Sequence, residues 1–166
     1  MPLYINRNVP VAADSETRQA YQNIHALVKS GKPEEAITAL EKLFQAHPDF
    51  VQACNDLGVL YFDKGEWDKA QECYEKAVRL APANAVFLKN LADYYYAILG
   101  RIEDALRMYV EVLTRNPEDI DALLAIGSIC ELMEQFDDAK IFYNRALEYE
   151  PWNLPALKRL ESLQNS

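Results

Sequence analysis

Four prolines lie almost one fixed distance apart, and this spacing constrains the fold more than any other feature of the sequence. Pro48, Pro82, Pro117 and Pro151 are separated by 34, 35 and 34 residues. A fixed period of this length is typical of repeat proteins, in which each unit buries its apolar face only by stacking on its neighbours. We therefore expect a repeat array rather than one compact domain around a single core.

The second half of each unit has the pattern of a helix that is buried along one face. Twelve residues before each proline stands an alanine, and large or apolar residues follow it four and seven positions later. These spacings mark one side of an α-helix. The three columns are Ala36, Ala70, Ala105 and Ala139; then Leu40, Tyr74, Tyr109 and Tyr143; then Leu43, Ala77, Val112 and Ala146.

The first half of each unit predicts another helix, most clearly in the second unit. Cys54, Leu57, Gly58 and Tyr61 follow the i, i+3, i+4, i+7 rule. Small residues at Gly58 and at the equivalent positions in the next two units should let the two helices approach closely. A short turn separates the helices, and it carries glycine in three units and Glu134 in the last. Each unit is thus predicted to be a helix hairpin.

The aligned units resemble the tetratricopeptide repeat family. The second unit, residues 51–84, carries the most matching positions, which are Leu57, Gly58, Tyr61, Gly65, Trp67, Ala70, Tyr74, Ala77 and Pro82. The resemblance implies an all-α fold, a right-handed superhelical solenoid of antiparallel helix hairpins with about nine helices. It also implies a protein-binding scaffold as the class of function.

The alignment divides the chain into an arm, four repeats and a cap. Residues 1–16 contain Pro2 and Pro10 and lack a helical period, which predicts an extended or mobile arm. The repeats are predicted at 17–50, 51–84, 85–119 and 120–153. Residues 154–166 are predicted to form a capping helix and tail. We hypothesise that the apolar arm lies in the groove of its own chain or of a second copy.

Two details of this division depend on single residues. The third unit has one extra residue between Tyr95 and Gly100, which either lengthens a helix end or enters the turn. The capping helix is predicted to begin after Asn153 as its N-cap, with Leu157 and Leu160 facing the core.

Composition argues against several classes of function. The net charge of −9 would repel a nucleic-acid backbone. No apolar run of 18 residues and no signal-peptide pattern is present, so we expect no membrane insertion and a cytoplasmic protein. Three cysteines and two histidines match no metal-ligand spacing, and no glycine-rich nucleotide loop occurs. We therefore expect no enzyme activity, no catalytic residues, no cofactor and no metal.

The resemblance places the first helix of each hairpin on a concave surface, and helical geometry then selects the side chains opposite the core columns. They mix aromatic, apolar and hydrogen-bonding groups, the composition of a peptide groove. The candidate partner-binding residues are Tyr21, His25, Asn55, Val59, Phe62, Lys89, Asp93, Tyr96, Leu124 and Ser128.

These residues predict a non-enzymatic adaptor that binds a peptide or helix of a partner protein. Two alternatives stay open: an accessory module of a bacterial glycosyltransferase or methyltransferase system, and a building block that associates with its own copies. One subclass of the family grips a peptide C-terminal carboxylate with lysine, asparagine and arginine. Tyr21 and His25 stand where the first lysine and asparagine would be, so we do not expect binding of Hsp70-like or Hsp90-like tails.

Overall fold

The computed structural model describes residues 14–164, and within that range every regular element is an α-helix. The prediction of an all-α repeat fold is confirmed. Nine helices are described: α1 Ser15–Lys29, α2 Pro33–Ala46, α3 Val51–Asp63, α4 Trp67–Leu80, α5 Ala85–Ala97, α6 Ile102–Arg115, α7 Ile120–Leu132, α8 Phe136–Tyr149 and α9 Leu154–Gln164.

The start of α1 is fixed by a side-chain cap. The Asp14 carboxylate accepts hydrogen bonds from the Thr17 backbone N–H at 2.8 Å and from the Thr17 hydroxyl at 3.0 Å. Ser15 and Glu16, assigned above to the arm, are therefore already helical. The rest of the predicted arm, residues 1–13, lies outside the described residues.

The chain separates into two compact units that meet inside α5, between Tyr94 and Tyr95. In the first unit, α1 packs on α2, α2 on α3 and α3 on α4. In the second unit, α6 packs on α7, α7 on α8 and α8 on α9. The alanine column forms the centre of these contacts, since Ala36, Ala70, Ala105 and Ala139 are all fully buried.

Glycine allows the two helices of a hairpin to approach closely, as the sequence predicts. A Cβ atom built on Gly58 of α3 would lie 2.7 Å from the ring of Tyr74 on α4. On Gly127 of α7 it would lie 2.6 Å from the ring of Tyr143 on α8. Both tyrosines are fully buried. In the second and fourth repeats, the tyrosine of the second helix therefore packs directly against the glycine of the first helix.

The turns inside the hairpins need a left-handed residue. Gly65 has a φ of 75°. Glu134, which replaces glycine in the fourth repeat, has a φ of 59°. The extra residue of the third repeat lies in the turn and not in the helix. Helices α3 and α5 both have 13 residues, but α5 is followed by a four-residue connection where α3 is followed by three.

One prediction for the capping helix is wrong. Asn153 caps α9 as expected, because its Oδ1 accepts from the Ala156 N–H at 3.1 Å. However, Leu157 is 39% exposed, whereas Ala156 is fully buried and Leu160 is half-buried. Ala156 therefore takes the buried position predicted for Leu157, whereas Leu160 stays on the packed side. Helix α9 packs on α8, and the fully buried Ala156 lies at this contact.

Candidate functional site

Polar side chains link three successive first helices within the first unit. The Tyr21 hydroxyl of α1 donates to Asp56 Oδ2 of α3 at 2.5 Å. On α3, Asn55 Nδ2 donates to Asp56 Oδ1 at 3.2 Å, and Asn55 Oδ1 accepts from Asn90 Nδ2 of α5 at 3.0 Å. Both links between helices join residues 35 positions apart. We call this set of residues, with Gln52, the polar ladder.

Asp56 is the charged group at the centre of the polar ladder. It is 2% exposed, and burial raises the pKa of its carboxyl to about 6, although hydrogen bonds from Tyr21, Gln52 and Asn55 lower it. The Gln52 amide donates to Asp56 Oδ1 at 2.7 Å. Burial, and then the Asp56 charge, also raise the pKa of Tyr21 far above its usual range. The ladder therefore holds a satisfied, buried carboxyl group.

His25 lies at the edge of this ladder. Its Nε2 is 3.8 Å from Asp56 Oδ2, and its side chain is 23% exposed. The imidazole stacks edge-on against the Tyr21 ring, with 4.4 Å between ring centroids. Tyr21 and His25 thus join the ladder at α1, where His25 is its part-exposed end.

Helices α3 and α5, which the Asn55–Asn90 hydrogen bond joins, carry five buried side chains that we call the α3–α5 face. It is defined by Gln52, Asn55, Val59, Lys89 and Asp93, which are 2%, 0%, 2%, 7% and 7% exposed. The face includes a lysine and an aspartate, residue types that are almost never this buried unless they are paired. It contains four of the predicted binding residues.

One predicted residue of the first unit, Phe62, lies in a different environment. Phe62, half-buried near the end of α3, is edge-on to Trp67 at 5.1 Å and to Tyr94 at 6.4 Å between ring centroids. The Tyr94 hydroxyl donates to the Trp67 carbonyl at 3.0 Å. Phe62 is therefore part of an aromatic cluster with the start of α4.

Three predicted binding residues belong to the second unit, and all three are half-buried: Tyr96 on α5, and Leu124 and Ser128 on α7. The Ser128 hydroxyl lies 3.2 Å from the Tyr143 hydroxyl, which donates to Glu131 Oε1 at 2.5 Å. Arg159 of α9 reaches Glu131 Oε2 at 3.4 Å. Ser128 is thus part of a polar cluster that joins α7, α8 and α9.

Gln52, Asp56 and Asn90 complete the ladder but are not among the predicted binding residues. A signal for them exists in the sequence. Polar residues recur at 35-residue spacing, with Tyr21 and Asp56 as one pair and Asn55 and Asn90 as the next. The 34-residue period alone does not show that Tyr21 contacts Asp56, which lies one position past the residue equivalent to Tyr21 in the next repeat.

The described residues contain no group of three or more histidine, cysteine, aspartate or glutamate side chains that could hold a metal ion. Among residues 14–164, no helix is long and apolar enough to span a membrane. Cys54, Cys73 and Cys130 are free thiols, and the Cys54 thiol donates to the Cys73 carbonyl at 3.4 Å.

Two sequence profiles described as tetratricopeptide repeat match the chain, the first at residues 21–85 and 55–98 and the second at residues 96–163. Together they cover residues 21–163.

Curated proteins are similar over part of the chain. BBSome complex member BBS4 of Bos taurus is 35% identical over 102 residues, which are 58% of this chain and 20% of that protein. Protein O-mannosyl-transferase TMTC1 of Homo sapiens is 31% identical over 108 residues, which are 65% of this chain and 12% of that protein. The chain thus spans a fifth or less of the length of these relatives.

Solved structures share the fold over more of the chain. A tetratricopeptide repeat protein from Parabacteroides merdae has a TM-score of 0.80 at 22% identity, covering 91% of this chain and 60% of that one. The protein MamA has a TM-score of 0.75 at 22% identity, covering 86% and 82%. The first repeat domain of Spaghetti (RPAP3), bound to an HSP90 peptide, has a TM-score of 0.63 at 27% identity, covering 69% and 90%.

Proposed function

The chain belongs to the tetratricopeptide repeat family, and from that premise we propose that it is a non-enzymatic adaptor that binds an extended peptide or a helix of a partner protein. Tetratricopeptide repeats generally act as protein-interaction scaffolds, and the similar Spaghetti domain was solved with a peptide bound. The binding residues we propose in the first unit are Tyr21, His25, Asn55, Val59, Phe62, Lys89 and Asp93. In the second unit they are Tyr96, Leu124 and Ser128.

The observation that carries the proposal is the chemistry of the α3–α5 face. Lys89 and Asp93 lie one helical turn apart on α5. The Asn55–Asn90 hydrogen bond joins this helix to α3, which carries the amide of Asn55 and the apolar side chain of Val59. An ammonium, a carboxylate and an amide beside an apolar contact can hydrogen-bond a peptide backbone and accept an apolar side chain. The polar ladder holds Asn55 in place before binding, which lowers the ordering cost.

The ladder also bears on which peptide would bind. A peptide C-terminal carboxylate needs cationic donors, whereas Asp56 places a buried carboxyl at this position, 3.8 Å from His25. We therefore propose that the ligand is an internal segment, or one with a cationic residue, and not a chain end held through its carboxylate. This separates the chain from the carboxylate-gripping subclass of its family.

A displayed random-peptide library tests the proposal. We expect selection on the immobilised protein, both at full length and lacking residues 2–13, to yield peptides whose binding is then measured by calorimetry. Lys89→Glu should weaken that binding at least tenfold. The matched control is Lys42→Glu, because Lys42 is an exposed lysine on the second helix α2. Failure to select any peptide, or equal affinity for the two variants, would contradict the proposal.

A second candidate function is favoured by the names of two relatives. TMTC1 and TMTC2 of Homo sapiens are named protein O-mannosyl-transferases, and the chain covers 12% and 13% of their lengths. The chain would then serve as an accessory module of a glycosyltransferase system, with the active site on another domain or protein. Sugar transfer by the purified chain alone would contradict both candidates, because both assign it a non-catalytic role.

A further inference from the structure

We propose that residues 1–13 bind the α3–α5 face of their own chain, so that the groove carries an internal peptide until a partner displaces it. This proposal depends on the proposed function, because it makes the N-terminal segment a stand-in for the partner peptide. Three observations support it: the burial of the face, the length and attachment point of the segment, and the match between their chemistries.

The first observation is a difference in burial between equivalent positions. On α3 and α5 the predicted binding columns are 0–7% exposed at Asn55, Val59, Lys89 and Asp93. On α7, in the second unit, the same columns are half-buried at Leu124 and Ser128. A groove open to solvent would leave a lysine and an aspartate much more exposed. The α3–α5 face thus has the burial of a contact surface.

The second observation is reach. The described chain begins at Asp14, which caps α1, and Tyr21 of the same helix is hydrogen-bonded to Asp56 of α3. Thirteen residues span at most about 43 Å when fully extended. Packed helices are about 8–10 Å apart, so α5 lies roughly 20 Å from α1. The segment is therefore long enough to cross α3 and contact both halves of the face.

The third observation is chemical complementarity. Residues 1–13 read MPLYINRNVPVAA, with six large apolar side chains, Arg7 as the one charged side chain and no acidic residue. The face offers Val59 for apolar contact and Asp93 for a cation, in a chain whose net charge is −9. Pro2 and Pro10 disfavour a helix, and an extended segment leaves backbone groups to bond polar side chains.

Tethering strengthens such an interaction without new contacts. A short flexible connection gives an effective concentration in the millimolar range, so a segment with only micromolar affinity for the face would occupy it almost completely. A partner peptide would then have to compete with the segment. Its apparent affinity would fall by the ratio of the effective concentration to the dissociation constant of the segment.

The test uses the segment as its own probe. A fluorescein-labelled peptide of residues 1–13 is titrated with the full chain and with a variant lacking residues 2–13, which retains every described helix. We expect fluorescence anisotropy to show saturable binding to the shortened chain, and at least tenfold weaker binding to the full chain. A peptide carrying Arg7→Glu should bind the shortened chain at least fivefold more weakly. Because the substitution is in the peptide, it leaves the folding of the shortened chain unchanged.

Variants of the shortened chain locate the contact. Val59→Arg should abolish peptide binding, whereas Val110→Arg, at a valine on α6 that is 48% exposed, should not. Circular dichroism checks that both variants stay helical. If Val59→Arg does not fold, Lys89→Glu and its control Lys42→Glu replace the pair.

Three results would overturn the inference: no binding to the shortened chain, equal binding to both chain lengths, or equal binding to the Val59→Arg and Val110→Arg variants. A dimer of the full chain that becomes monomeric on removal of residues 2–13 would place the segment on a second copy and overturn the intrachain form. Library peptides that bind the shortened chain while residues 1–13 do not would overturn this inference and leave the proposed function standing.

Discussion

At the scale of single residues, the first unit keeps an ionisable group inside a hydrogen-bonded network. Asp56 accepts from Tyr21, Gln52 and Asn55 and is almost fully buried, so its carboxyl is satisfied but costly to ionise. Burial raises its folded-state pKa to about 6, above the ordinary value of 3.8. The folded chain thus holds the Asp56 proton at pH values where the unfolded chain has lost it.

This raised pKa leads to a pH-dependent difference in stability. For a carboxyl with a raised folded pKa, stability falls as pH rises from about 4 through 6. Relative to Asp56→Asn, the wild type should lose about 2 kcal/mol of unfolding free energy between pH 4.5 and pH 7. Urea unfolding at the two pH values measures it.

Because His25 lies 3.8 Å from Asp56, the same pair of measurements in a His25→Gln background isolates the carboxyl. A difference between wild type and Asp56→Asn that does not change with pH would contradict this assignment.

Glu134 is a second residue-scale feature, since it occupies a left-handed conformation that glycine holds in the other hairpin turns. We expect Glu134→Gly to raise the unfolding free energy by about 1 kcal/mol, because glycine adopts a φ of 59° without a Cβ clash. Glu134→Ala keeps a Cβ and should give no such gain. Thermal unfolding of the three proteins compares them, and equal melting temperatures would show that the turn is not strained.

At the scale of elements, close helix approach depends on a glycine facing a tyrosine. We expect Gly58→Val to destabilise the chain by about 1–3 kcal/mol, because its side chain would enter the Tyr74 ring. Tyr74→Leu should reduce this cost, since leucine is shorter and Leu40 already occupies the same column of the first repeat. Chemical denaturation of the four proteins gives the coupling, and additive effects would place the clash elsewhere.

Most of the elements follow from the sequence, because helix period and repeat period reinforce each other over four units. The alanine and tyrosine columns are buried as predicted, and Asn153 caps α9. The repeat period could not show where the extra residue of the third repeat lies. A longer helix and a longer turn both leave the buried columns of the following helix in register. The prediction for Leu157 is wrong because the helix period of this short segment does not show which of its neighbouring residues faces α8.

The candidate site was harder to predict than the fold. Helical geometry selected Asn55 and Val59, but it does not reveal that they are buried or that Asn55 bonds Asn90. Such contacts depend on the offset between successive repeats, which is a property of packing and not of the period. The place of Asp56 in the polar ladder could not be predicted for the same reason, because its partner Tyr21 lies 35 residues away.

At the scale of the whole molecule, the last described helix, α9, packs on the hairpin that precedes it. Ending the chain at Asn153 removes α9, with its buried Ala156 and the Arg159 contact to Glu131. We expect a loss of at least about 1–2 kcal/mol, or several degrees of melting temperature, and a greater tendency to aggregate. Calorimetry and light scattering measure these effects. An unchanged melting temperature would show that α9 contributes nothing as a cap.

The polar ladder also makes the repeats non-interchangeable. Chains built from similar units can pair a unit with the wrong neighbour, because their apolar faces are nearly alike. The Tyr21–Asp56 hydrogen bond joins the first repeat to the second, and the Asn55–Asn90 hydrogen bond joins the second repeat to the third. Each bond needs a pair of side chains that these adjacent repeats supply. A repeat shuffled or duplicated between them would leave the Asp56 carboxyl with the Gln52 and Asn55 donors of its own helix but without the Tyr21 donor. A misplaced repeat would therefore lose one buried hydrogen bond at Asp56 and one at Asn55, which disfavours the wrong order.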